Sequence, residues 1–177
     1  MAEYNRRRMR PVSATALIDA PRERVFDFLL DLSARPAFMD HFLTDYRLER
    51  LDPVGVGAAA RFRLRHSGER MNSAVIEAER PHLVREEGRG GRSNAVPAHT
   101  VWELSEGASP DSTEVRVTFW TDPPTMLARL KELAGSSYYF RRDLQRGLGR
   151  LRQIIEGDEP VERVGVGGGE PLPAGVR

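Results

Sequence analysis

The spacing of apolar residues along the chain changes three times, and each change marks a new kind of element. Val12 to Asp19 alternates loosely, as a strand does. Pro21 then suits the first position of a helix, where its missing N–H costs nothing, and Glu23 suits the positive end of the helix dipole. Val25, Phe26, Leu29 and Leu30 form an apolar stripe at helical spacing. Ser33 is placed to cap a second short helix, with Pro36 in its first turn and Phe38 and Met39 on its buried side.

Period two follows. Tyr46 and Leu48 share one side of a segment whose other side holds Arg47 and Glu49. Phe62, Leu64 and His66 alternate with Arg61, Arg63 and Arg65. Asn72, Ala74, Ile76 and Ala78 fall on one face, as do Trp102 with Leu104, and Val115 with Val117 and Phe119. One apolar face and one charged face predict an antiparallel sheet covered on a single side. Turn sequences at Asp52–Gly57, around Gly68 and at Glu106–Ser112 separate these strands.

The pattern then turns helical again. Met126, Leu127 and Leu130 open the segment, and Phe140, Leu144, Leu148, Leu151 and Ile155 recur near its end. The predicted class is α+β: a curved antiparallel sheet of about seven strands around a long C-terminal helix, with two short helices after the first strand. Residues 11–156 are expected to form this domain. A basic arm (1–10) precedes it and a Gly- and Pro-rich tail without periodicity (157–177) follows.

Composition narrows the function classes. The 177 residues carry 27 basic and 26 acidic side chains, a net charge of +1 that supplies no overall field for nucleic acid. With no cysteine, disulfides and thiolate metal sites are excluded, and the four histidines lack short metal-ligand spacing. No apolar run is long enough for a membrane span, and no apolar segment follows the basic N-terminus as in a signal peptide. A cytoplasmic protein without metal, cofactor or nucleic-acid partner is the expectation. The run from Gly55 to Ala60 imitates a dinucleotide fingerprint, but a strand follows it instead of a helix, so it reads as a hairpin turn.

Three stretches carry a family resemblance: IDAPRERVFDFLLDLSARPAFM (Ile18–Met39), VGVGAAARFR (Val54–Arg63) and STEVRVTFW (Ser112–Trp120). The chain resembles the START-like superfamily with the helix-grip fold, in particular its bacterial polyketide cyclase/dehydrase and lipid-transport-like group. The family often has Trp after the proline of the second helix, where this chain has Phe38.

The resemblance implies a hollow between sheet and long helix that takes a small hydrophobic ligand such as a lipid, polyketide or aromatic metabolite. The expected lining is Tyr46, Leu48, Phe62, Leu64, Ile76, Trp102, Val117, Phe119 and Leu130, with His66 and Asn72 as polar anchors at the open end. That opening is expected among the Ser67–Arg70 turn, a Gly88–Pro97 loop and the segment after Pro123. An alternative function is a cyclase or dehydratase acting by general acid/base chemistry. Alternation must turn either Glu86 or Glu87 inward as its base, and Tyr138 or Tyr139 could donate a hydrogen bond to a substrate carbonyl.

Overall fold

A computed structural model describes residues 11–109, 111–122, 136–158 and 160–165. Strand β1 (Val12–Ile18) leads through Pro21 into α1 (Arg22–Leu30) and then into α2 (Arg35–Met39). Strands β2 (Leu43–Leu48), β3 (Ala59–Leu64), β4 (Arg70–Glu79), β5 (Leu83–Gly90), β6 (Val96–Glu106) and β7 (Thr113–Thr121) follow, and then α3 (Ser136–Gly157). All pairings are antiparallel, in the order β1-β7-β6-β5-β4-β3-β2.

That order puts β1 and β2 at opposite edges of one sheet although only α1 and α2 separate them in sequence. The two helices therefore cross from edge to edge and close one end. Val25, Phe26 and Leu29 of α1 are buried, as are Phe38 and Met39 of α2. Between the helices, Asp31 accepts hydrogen bonds from the Ser33 N–H (2.9 Å) and the Ser33 hydroxyl. Asp31 thus caps the Leu32–Ala34 turn, and Ser33, expected to cap α2, donates to it instead, so α2 starts from Ala34 without a side-chain cap.

Leu144, Leu148, Leu151 and Ile155 of α3 lie buried, at the spacing that predicted them, against the inner face of the sheet. Residues 160–165, which the sequence pattern places in the tail, return to the α1–α2 junction. Val161 is buried there, Arg163 Nε lies 3.0 Å from Asp31 Oδ2, and the Val164 N–H donates to the Ser33 carbonyl at 3.0 Å. The start of the helical segment, Met126 to Leu130, falls outside the described residues.

Candidate functional site

The site grows from one residue of β5. Pairing with β4 and β6 sets Val84 and Glu86 on the inner face of the sheet and Arg85 and Glu87 on the outer face. Glu86 is therefore buried, at 5% exposure, under the crossing helices. Its Oε1 accepts from Arg35 Nη2 of α2 at 2.7 Å and from the Trp102 indole N–H of β6 at 2.9 Å. Its Oε2 accepts from the Ser73 hydroxyl of β4 at 2.9 Å. Four elements thus converge on one carboxylate.

Arg35 is equally enclosed. Its guanidinium lies 4.9 Å from the Trp102 ring centroid and 5.6 Å from that of Phe38, and it also donates to the Leu29 carbonyl at 3.2 Å. Stacking on aromatic faces and bonding a carboxylate together suit arginine's planar, delocalised charge. Its Nε–H has no partner among the described residues. Nearby, the Tyr46 hydroxyl donates to the Leu32 carbonyl at 2.9 Å, and burial raises its pKa far above the ordinary phenol value.

These polar groups form one wall of a cavity whose remaining walls are apolar: Phe62, Met71 and Phe119 from the sheet, and Phe140 and Leu144 from α3, among others. Phe140 stacks on Phe119 at 5.1 Å between centroids and meets Phe42 edge-on at 5.2 Å. The enclosed volume is about 60 Å³. A dry void of 60 Å³ costs about 1.4 kcal/mol, so the cavity is tolerable when empty.

The profile of the family described as "Polyketide cyclase / dehydrase and lipid transport" matches residues 9–156. This chain belongs to that family. Solved structures agree at the level of fold. TTHA0849 from Thermus thermophilus is 16% identical, with a TM-score of 0.63, 85% of this chain covered and 99% of that one. Truncated norcoclaurine synthase from Thalictrum flavum is 11% identical at a TM-score of 0.62, with 84% and 94% covered. DynU16, a putative protein in the dynemicin biosynthetic locus, is 19% identical at a TM-score of 0.57, and this chain spans about half of it (48%). No curated protein matches the sequence.

Within this family member, the residues expected at the site separate into three groups. Tyr46, Phe62, Leu64, Asn72, Trp102 and Phe119 border the cavity. Leu48 and Val117 are buried in the core but do not border it, and Leu130 falls outside the described residues. Ile76, His66 and, as a polar anchor, Asn72 correct the expectation. Ile76 is 43% exposed because it shares the outer face with Asn72 and Ala74, and the bulge between Val75 and Glu77 then turns Ala78, not Glu77, inward. The inward set of β4 is consequently Met71, Ser73, Val75 and Ala78, and the Asn72 side chain turns away to accept from the Arg89 N–H at 2.7 Å. His66 lies at the exposed β3–β4 turn, its Nε2 3.0 Å from buried Asp143 of α3, and is no cavity anchor.

The acid/base candidates divide as well. Glu87 is half exposed and sits 3.5 Å from His99 Nδ1 on the outer face. Tyr138 and Tyr139 are 69% and 49% exposed, because they lie two residues and one residue before Phe140, which begins the stripe. Neither borders the cavity. The Gly88–Pro97 loop is also shorter than expected, since β5 runs through Gly90 and β6 begins at Val96, leaving residues 91–95 between them. Arg35 and Ser73, central to the polar wall, carry no sequence signal of that role. A charged residue beside a proline in a helix's first turn ordinarily meets solvent.

Proposed function

We propose that this protein binds a small, largely apolar molecule between the sheet and α3, with the molecule's polar end at the Arg35–Glu86–Trp102–Ser73 cluster. The observation that carries this reading is a buried ion pair set into the wall of an otherwise apolar cavity. Burying two charges for stability alone is an inefficient choice, because a well-packed apolar pair is commonly as stable. Apolar walls with a few convergent polar groups are the usual composition of a ligand site. Ligands of ordinary size need several hundred Å³, so binding requires the 60 Å³ cavity to widen. The gate expected after Pro123 falls outside the described residues.

A catalytic reading, cyclisation or dehydration of a polyketide-like substrate, has one observation in its favour: Glu86 is a carboxylate at the cavity wall. Against it, Glu86 already accepts three hydrogen bonds, and lone pairs so engaged are poorly placed to take a substrate proton. Binding is therefore favoured over chemistry.

Native mass spectrometry of freshly purified protein, followed by solvent extraction, tests the proposal. The expected result is a co-purifying apolar adduct that is absent from a Leu144→Trp variant, whose indole fills the cavity. A clean ligand-free mass from several expression hosts, together with no displaceable binding of a fluorescent naphthalene probe, would reject it.

A further inference from the structure

The outer face of the sheet carries a charge arrangement that the cavity does not explain. Strand register aligns Arg47 of β2 with Arg61 of β3, Arg61 with Asn72 of β4, and Asn72 with Arg89 of β5. One row of cross-strand neighbours thus holds three arginines, and Arg70 sits beside it, opposite Arg63. Arg63 is satisfied by Asp45 at 3.0 Å. Arg47, Arg61, Arg70 and Arg89 are all exposed, and none has an ion-pair partner among the described residues. Like charges at directly opposed positions destabilise a sheet, so this row carries an uncompensated cost.

Followed along the strands, the row leads toward an apolar end of the sheet. Beyond a floor of Ala59 and Ala74 lies the β2–β3 loop, where Leu51 is 88% exposed, Val56 64% and Val54 45%, beside bulged Ile76. This loop is built to hold its shape. The Val54 N–H donates to Asp52 Oδ1 (3.0 Å), the Gly57 N–H to the Val75 carbonyl (2.8 Å), and the Leu32 N–H to the Pro53 carbonyl (2.9 Å). Aliphatic side chains held out into water on a fixed loop call for a partner.

Apart from the Arg63–Asp45 and Arg85–Glu77 ion pairs, the acids near the row are Glu49, Asp52 and Glu87, against Arg47, Arg50, Arg61, Arg70 and Arg89, so positive charge prevails there. We propose that this face docks on anionic lipid bilayers, with Arg47, Arg61, Arg70 and Arg89 against headgroup phosphates and Leu51 and Val56 inserted among the acyl chains. A nucleic acid would use the arginines but gains nothing from exposed aliphatics, and the nearby stack of Trp120 on His99 is flanked by Glu87 and Asp122. A bilayer uses both features at once.

The test is flotation of the full chain with phosphatidylcholine vesicles with and without phosphatidylglycerol. Binding is expected only with phosphatidylglycerol, and it should weaken as salt rises. At roughly fivefold per arginine, the triple variant Arg47→Ser, Arg61→Ser, Arg89→Ser should bind about 100-fold more weakly while melting like the parent. The double variant Leu51→Asp, Val56→Asp should also lose binding. Replacing Arg6, Arg7, Arg8 and Arg10 by serine should leave most of it. Failure of the parent to float, undiminished flotation of the triple variant, or loss on changing the N-terminal arginines alone would each overturn the proposal. So would tighter binding of a short single-stranded oligonucleotide through the same arginines.

Discussion

Glu86 and Glu87 follow one another in β5, and the pleat of the strand sends them to opposite sides of the sheet. Glu86 is enclosed and holds an arginine, an indole and a hydroxyl from three other elements. Glu87 stands half in water with a loose contact to one histidine. Two identical carboxyl groups have become, respectively, the centre of a candidate binding site and part of a surface. Position along the chain cannot account for this, since they are adjacent. What differs is how many elements the tertiary fold brings to each face.

Disrupting the inner cluster should therefore cost far more than disrupting the outer one. Arg35→Met should be the most damaging change, because it leaves Glu86 buried without its counter-charge. Breaking such a pair costs about 3–5 kcal/mol, or roughly 10 °C in melting temperature. The double variant Arg35→Met, Glu86→Leu should recover most of the loss. Thermal melts of the two singles and the double measure the coupling directly, and additivity would break the comparison.

Gly88 gives the next largest effect. A Cβ there would stand 1.8 Å from the Asn72 carbonyl oxygen, a backbone atom that cannot step aside. Gly88→Ala should destabilise by about 1–3 kcal/mol in urea titrations. Ser73→Ala removes one donor from Glu86 and should cost about 1.5–3 kcal/mol at most, with a matching loss in affinity for any ligand held at the cluster. Glu87→Gln, its outward-facing counterpart, should change stability by less than about 1 kcal/mol.

The smallest effect is a pH dependence at the rim. Burial, above all, lowers the pKa of His41, with the charges of Arg146 and Arg150 acting the same way against the Asp143 carbonyl, 3.0 Å from Nε2, which raises it. A folded value below the unfolded one, near 6.5, means its contribution is complete above that pH and lost as pH falls through the folded value. His41→Asn should therefore flatten the decline in stability between neutral and mildly acidic solution, as followed by denaturant midpoints across pH.

Much of the fold was legible from alternation. Phe62 with Leu64, Trp102 with Leu104, and Val115 with Val117 and Phe119 each read as inward sets because one apolar face must be buried. β4 misled for a physical reason. Ile76 is the largest aliphatic in its strand and draws the alternation toward itself, yet the register with β5 turns Met71, Ser73 and Val75 inward and leaves Ile76 outside with Asn72 and Ala74, while a bulge brings only Ala78 of that set inward. Tyr138 and Tyr139 misled because position on α3, not chemistry, decides which rings enter the cavity.

The sequence alone determined the family, the order of strands and helices, and the apolar inner face, since each is written in local period, turn residues and motif. Only the tertiary structure decided that Arg35 meets Glu86, 51 residues away, and that an arginine row forms across the outer strands. Both depend on registers between strands distant in the chain. Register is set by the whole sheet closing over its core, and no local pattern records where it will settle.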